Sequence, residues 1–488
     1  MMEIPTADRL RESMSGTTLH RVSGRVTGVT SHQIRVAGFS APLGAACSIL
    51  RASQSPVPAV VIGFDHDSPI LSPLCLSEGI AAGDIVQLDT FEQRVAVGVH
   101  LIGRVVDAFA NPIDETLQSD VSLDQSATSD AAMSNAAMSN AVARRVAIDP
   151  PPPGSLERVS IDRTMVTGIR GIDSMLTVGD GQRLGIFAAA GVGKSTLLGM
   201  LTRGCDADAI VIGLVGERGR EVRDFLDHTL TPQGRQKATV VVATSDTAPT
   251  LRIRAAQTAT AIAESYADSG RRVLLLIDSV TRFAMAAREV GLAAGEPPTT
   301  RGYPPSVFSM LPRLVERAGK TRRGSITAFY TVLVEGDDPN EPISDTMRGL
   351  LDGHIMLSRS LAAEGHYPAI DMLASLSRLQ DRLLTPEQMQ QVATVRRLMS
   401  EYERHRDLID IGAYRNGSNP TLDLAIALRP ALREFLTQSA DQQVPMEQTL
   451  QELAMIQNAV EQHSANRPSQ PSNVAAANAS PQNPAGSP

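Results

Sequence analysis

Tryptophan is absent from this chain, and aromatics are few: 6 Tyr and 10 Phe among 488 residues. Proteins that grip single-stranded nucleic acid stack its bases on aromatic side chains, and few such platforms exist here. Cysteine is scarce too. Cys47, Cys75 and Cys205 are far apart and odd in number, with no C-x-x-C pair. A disulfide framework and a thiolate metal site are therefore disfavoured, and a reducing, cytoplasmic setting is expected. No run nears the ~18 apolar residues that span a bilayer. Residues 1–13 carry Glu3, Asp8 and Glu12 and no apolar block, unlike a signal peptide. Positive charge is not in excess either: 45 Lys and Arg against 53 Asp and Glu leave a net −8, which argues against binding that rests on phosphate neutralisation.

What is present is an ordinary globular balance, 42% apolar and 20% charged, over a chain too long for one core. From Leu19 to Asp114, short runs punctuated by Gly, Pro and Asp (Arg21–Val29, Ile34–Phe39, Ala59–Phe64, Ile85–Leu88, Val95–Val106) predict a small β-barrel over 19–114, preceded by a short segment, 1–18. Residues 115–158 change character. They are rich in Ser, Ala, Asp and Asn, repeat Ala-Ala-Met-Ser-Asn at Ala131 and Ala136, and lead into Pro150–Pro153. A flexible insertion and linker is expected, because such a composition buries too little apolar surface to offset its ordering entropy.

Over 159–383 the pattern becomes α/β. Apolar runs at Arg183–Ala188, Ala209–Val215, Thr239–Ala243, Val273–Ile277, Ser325–Leu333 and His354–Ser358 alternate with helical stretches such as Leu251–Asp268. Continuously apolar strands are covered on both faces, which predicts a parallel sheet. Residues 384–440 read as a helical domain, with helices over Glu387–Leu408 and Asn419–Gln438 joined through a turn at Gly412–Gly417. In 441–488 a helix is expected to give way to a disordered tail, since the last 26 residues hold five prolines and one large apolar side chain, Val474.

Chemistry concentrates in the α/β region. Ala188-Ala189-Ala190-Gly191-Val192-Gly193-Lys194-Ser195-Thr196 lies between the strand ending at Phe187 and the helical Leu197–Thr202. This is a phosphate-binding loop, in which backbone N–H groups and the helix N-terminus face the phosphates. Lys194 would reach the β- and γ-phosphates of ATP and the Ser195 hydroxyl would ligate Mg²⁺. Ala188 stands where the general pattern has Gly. Such a loop calls for an acidic residue ending a buried strand, and Val273–Ile277 runs into Asp278. Asp278 is thus a candidate Mg²⁺ contact through water, the other reading being a cap of the next helix. Glu217, after the strand Ala209–Val215, could polarise the attacking water, or belong to a solvated charge cluster with Arg218 that opens a helix.

The order of these segments, followed by Tyr367-Pro-Ala-Ile-Asp371 and Ser375-Leu-Ser377-Arg378, resembles the catalytic subunits of the rotary ATPase superfamily. Gly291–Pro298, Arg301–Phe308, Gly324–Asp338 and Gly412–Arg415 resemble more closely the soluble ATPases of type III secretion, and Asn340–Gly349 the flagellar form among them. The resemblance covers about Arg21–Thr437 outside the insertion. It implies a RecA-like α/β core behind an N-terminal β-barrel and before a C-terminal helical domain. It further implies that Glu217 is the catalytic carboxylate with Arg218 beside it, that Tyr367 stacks on adenine, and that Arg378 is an arginine finger reaching the adjacent subunit's site. On spacing alone, Arg378 reads as an ion-pair residue and Tyr367 as a half-buried core aromatic.

The same resemblance implies a cytoplasmic homohexamer, peripheral to the inner membrane at an export apparatus. Its partners would be a peripheral-stalk-like regulator at the N-terminal segment, where Leu10 and Met14 share a helical face, a central-stalk-like subunit, an export gate, chaperones and export substrates. Nucleic acid is not an expected partner. Glu217 argues against a non-catalytic rotary subunit, which typically has Gln there. The stretch Pro386–Tyr414 has no acidic Asp-Glu-Leu-Ser-type loop, unlike a synthase catalytic subunit. A virulence injectisome ATPase is the alternative within the family. Phe109-Ala110 replace a usual Leu-Gly before Asn111-Pro112, Ala189-Ala190 a usual Gly-Ser, and Thr247 a usual Arg or Gln.

Overall fold

The structure, a computed structural model, describes residues 22–30, 33–52, 54–75, 77–114, 144–334 and 341–465. The N-terminal segment, the repeat-bearing insertion, Glu335–Asn340 and the proline-rich tail from 466 onward lie outside the described residues.

Six strands, β1 (Ser23–Val29), β2 (Ile34–Ala37), β3 (Ala46–Leu50), β4 (Val57–Asp65), β5 (Ser68–Pro73) and β6 (Ile85–Thr90), close a barrel in the order β1-β2-β5-β4-β3-β6. Alternation in and out along each strand supplies its core, with Val26, Ile34, Val36, Ile49, Leu71 and Val86 buried inside. The run Val95–Val106, read from sequence as part of this barrel, leaves it. Here β7 (Arg94–Val97) and β8 (Val105–Val106) are separate strands; β7 pairs with β9 (Arg144–Ala147) and β8 joins the edge of the core sheet beside Val240 and Val241. The barrel needs only six strands to close, so the next apolar residues are free to pair elsewhere.

The turn between β8 and the insertion shows the cost of Ala110. Its φ is 65°, a conformation that costs a non-glycine residue about 1–2 kcal/mol. Asp107 offsets part of this by accepting the Phe109 and Asn111 N–H groups, both at 2.8 Å.

After a short pair, β10 (Thr164–Met165) with β11 (Val178–Gly179), the core strands follow: β12 (Arg183–Ala188), β13 (Ala209–Glu217), β14 (Ala238–Thr244), β15 (Arg272–Asp278), β16 (Gly319–Lys320), β17 (Ser325–Leu333), β18 (Gly353–Leu357) and β19 (Ile370–Ser377). The main order is β19-β18-β12-β17-β15-β13-β14-β8, with β16 beside β17. Pairing is parallel from β18 to β8, as the apolar runs predict; β19 adds antiparallel to β18, and β16 antiparallel to β17. β19 escaped prediction as a strand because an edge strand is half exposed, with Leu373 and Leu376 in solvent, and lacks a continuous apolar run.

Helices cover both faces: α1 (Lys194–Gly204), α2 (Gly219–Asp224), α3 (Pro249–Asp268), α4 (Val280–Ala293) and α5 (Pro305–Val315). The helical domain holds α6 (Pro386–Asp410), α7 (Pro420–Leu436) and α8 (Met446–Ala465). A Thr385/Gln388 capping box starts α6, and Asn419 caps α7. Leu398, Leu428, Leu432 and Leu453 join the cluster on one face of the sheet, so the helical domain shares a core with the strands. Among the described residues no helix is long and apolar enough to cross a membrane.

Candidate active site

The strands end together at one edge, where open α/β sheets bind ligands. Parallel register sets Ala188 of β12 beside Leu333 of β17, and Asp278 of β15 beside Leu214 of β13. The three functional segments therefore converge although up to 84 residues separate Lys194 from Asp278. Residues 189–191 and 193–196 with Glu217, Arg218, Asp278 and Arg282 line a cavity of about 480 Å³ there, while Val192 turns into the core.

Gly193 precedes α1 at φ 93°, and no side chain caps the helix. The first N–H groups of an 11-residue helix are thus left free to meet an anion. Lys194 Nζ lies 2.5 Å from Asp278 Oδ1 and 3.4 Å from Glu217 Oε1. Burial alone would lower the lysine pKa; the Asp278 and Glu217 carboxylates outweigh it, and the net shift is upward, so the ammonium persists at neutral pH. Asp278 also accepts from Thr331 Oγ1 at 2.7 Å. The capping reading of Asp278 fails here: Ser279 caps α4 by accepting the Arg282 N–H.

Glu217 is 6% exposed at the end of β13. A bulge between Val215 and Glu217 re-aims it, with Gly216 at φ 72°. A Cβ on Gly216 would stand 2.9 Å from Arg282 Cδ, so only glycine lets that arginine close on the carboxylate. Arg282 Nε is 3.3 Å from Glu217 Oε1 and its Nη2 3.4 Å from Oε2. Burial pushes the Glu217 pKa upward, and a hydrogen bond with Glu221 pushes it the same way, against the pull of Lys194 and Arg282. A buried carboxylate whose proton affinity has risen is a competent proton acceptor.

The remaining residues are distributed unevenly. Ser195 and Thr196 are exposed in the first turn of α1. Arg218 is largely in solvent, 3.7 Å from Glu221. Tyr367 is 41% exposed beside the loop; a Cβ on Gly193 would meet its Cε1 at 3.4 Å. Arg378 does not line its own chain's cleft; exposed past the end of β19, it donates to the Arg348 carbonyl at 3.1 Å.

This arrangement agrees with what the chain is similar to. The ATP synthase alpha/beta family, nucleotide-binding domain, matches residues 168–377, and the T3SS EscN ATPase C-terminal domain matches 384–455. The flagellum-specific ATP synthase of Bacillus subtilis is 46% identical over 90% of this chain and 96% of its own. The chain belongs to the type III secretion ATPases of the ATP synthase alpha/beta family. As an ATPase of this family it also resembles the type 3 secretion system ATPase of Xanthomonas euvesicatoria, 43% identical over 92% of this chain and 97% of that one. Among solved structures, assembled EscN in complex with its central stalk EscO, from enteropathogenic E. coli, superposes with a TM-score of 0.78 at 40% identity, covering 89% of this chain and 99% of that one.

Two residues that hold the site's carboxylates escaped the sequence reading, Arg282 in the cleft and Thr331 buried behind Asp278. Arg282 carried a usable signal: it lies four residues past Asp278, one helical turn beyond the strand end. Thr331 carried none, since a threonine in a buried strand looks like any β-branched filler.

Proposed function

We propose that this chain hydrolyses ATP as a ring of six copies and thereby drives flagellar protein export. The observation that carries the proposal is the single ammonium of Lys194 held between the Asp278 and Glu217 carboxylates at the strand ends. An incoming γ-phosphate competes for that ammonium, and its transfer to phosphate frees both carboxylates for their own tasks. Ser195 and Asp278, the latter through water, fit Mg²⁺: both line the cavity that holds Lys194, and Mg²⁺ takes one or two protein ligands while sharing the rest with phosphates and water. When bound, Mg²⁺ neutralises phosphate charge.

Glu217 takes the proton of the attacking water, and Arg282 holds its carboxylate in place. The loop 188–196 cradles the phosphates, Arg218 flanks the site, and Tyr367 stacks on adenine. Arg378 serves the neighbouring copy, where a guanidinium stabilises the charge developing on the transferred phosphoryl group. Its absence from the lining of its own cleft and its exposure support a role in trans. The assembled EscN structure with its central stalk supports a homohexamer threaded by a stalk-like subunit. We assign the barrel to ring assembly and the helical domain to chaperones, export substrates and the export gate. The 1–18 segment is assigned to a peripheral-stalk-like regulator, with the ring peripheral to the inner membrane in the cytoplasm.

Glu217→Gln should retain ATP binding while hydrolysis falls about 10²–10⁴-fold, the usual range for removing a general base. Wild-type turnover in this variant refutes the role of Glu217. Mixing Arg378→Ala with Lys194→Ala chains should partly restore hydrolysis through interfaces that pair an intact finger with an intact loop. Mixed rings without rescue would refute a finger acting between copies.

A further inference from the structure

A second cavity, of about 290 Å³, lies away from the phosphate loop, where β19 and the short helix Arg359–Ala363 meet α6 and α7 of the helical domain. Its floor is apolar, formed chiefly by Leu361, Ile370, Met372, Leu398 and Leu432. Three arginines, Arg406, Arg429 and Arg433, stand at its rim. Two are spoken for: Arg406 reaches Glu364 at 3.0 Å and Arg433 reaches the same carboxylate at 3.3 Å. Arg429 is different. Among the described residues no carboxylate lies within ion-pair distance of it, and its guanidinium rests 3.7 Å over the Tyr402 ring. Stacking fixes the cation at the mouth of the cavity and leaves its N–H edge available, since a ring face accepts the plane of a guanidinium and not its donors. The lining is balanced in formal charge, Glu364, Asp371 and Glu403 against Arg406, Arg429 and Arg433, but Arg406 engages Glu364 and Glu403, Arg433 engages Glu364, and Asp371 Oδ1 accepts the Leu373 and Ala374 N–H groups, which leaves Arg429 as the unanswered charge. Buried His366, which lines the cavity, has its pKa lowered by desolvation and then by Arg433, against the opposing pull of Glu364, so it stays neutral and adds no charge of its own.

An apolar floor with one fixed, unpaired guanidinium at the rim is complementary to a small amphipathic anion. We propose that this cavity is a binding site for a small carboxylate with an aliphatic body of about ten carbons, the body against the Leu398 and Leu432 wall and the head on Arg429. The cavity borders the segment that continues through Tyr367 to Arg378; Gln438, at the end of the helical domain, donates its N–H to the Tyr367 carbonyl at 2.8 Å. A bound anion thus sits where the helical domain touches the nucleotide-facing chain. Binding there is independent of the roles assigned to those two residues.

The absence of tryptophan makes the test direct. In full-length Tyr402→Trp, an indole replaces the ring under Arg429 and reports on the cavity alone. Decanoate should shift its emission saturably, decanol should bind at least tenfold more weakly, and adding Arg429→Gln should weaken decanoate by tenfold or more. On the unsubstituted chain, saturation transfer from protein methyl groups to decanoate should show the same loss in Arg429→Gln, which keeps the test valid if the tryptophan variant folds poorly. Excess ADP should not displace decanoate. No saturable binding, equal affinity for decanoate and decanol, indifference to Arg429→Gln, or competition by ADP would each overturn the site.

Discussion

Two clusters of buried charge lie in the α/β core of this ATPase, and they are built on opposite terms. One is at the carboxyl ends of the strands, where Lys194, Arg282, Glu217 and Asp278 meet. The other is toward the strand starts. There Arg317, whose side chain is fully buried, donates Nε and Nη2 to the two oxygens of Glu264 at 2.8 and 2.7 Å and Nη1 to the Ile148 carbonyl at 2.9 Å. Glu264 is one turn before the end of α3, and β15 starts shortly after. Every nitrogen of Arg317 is satisfied, and the pair is planar and bidentate, the geometry that offsets the desolvation of two ions. In the cleft, one ammonium divides itself unequally between two carboxylates, and Arg282 holds Glu217 only at 3.3–3.4 Å. The first cluster is complete without a ligand; the second gains from a ligand that carries negative charge.

This contrast can be broken most severely at Arg317. Arg317→Met leaves the half-buried Glu264 without its partner and the Ile148 carbonyl without its donor, and should cost about 2–3 kcal/mol of stability, read by denaturant unfolding, with nucleotide affinity unchanged in the folded fraction. A cost under 1 kcal/mol would make the two clusters alike. Arg282→Gln should do the reverse, lowering kcat about 10²-fold or more with little change in unfolding free energy. It should also move the pH profile. Glu217 already binds its proton more tightly than an ordinary glutamate; removing the Arg282 cation raises that affinity further, so the acidic limb of kcat, where protonation disables the base, should shift to higher pH. An unmoved limb would separate Arg282 from the base. The smallest effect is expected at Tyr330, whose fully buried hydroxyl has no hydrogen-bond partner among the described residues. Tyr330→Phe removes an unsatisfied polar atom and should be neutral or stabilising by up to about 1 kcal/mol, read as an equal or higher Tm.

Much of this was legible in the chain itself. The strands Arg183–Ala188 and Ser325–Leu333 run to the residue as their apolar stretches predict, because a strand covered on both faces must be apolar throughout. The placement of the loop between β12 and α1, and of Asp278 at the end of β15, was legible for a related reason, since the apolar runs on either side mark where each strand stops. Val95–Val106 misled because a short apolar run does not say which sheet it will join; the partners of Val105 and Val106 are Val240 and Val241, far along the chain. Thr331 and the cavity at Arg429 left no mark at all. Both depend on neighbours brought together from separate segments.

The sequence by itself determined the elements: where backbone must be buried, where glycine must bend it, and where polar side chains stand at the ends of apolar strands. Those are local demands, met by residue type within a turn or a strand. Only the tertiary structure decided that Lys194 would stand between two carboxylates, that Arg282 would close on Glu217 over Gly216, and that Arg429 would be the rim arginine without a carboxylate. Each of these is a matter of a few ångströms across elements that parallel register and helix packing bring together, and no pattern along the chain encodes such distances.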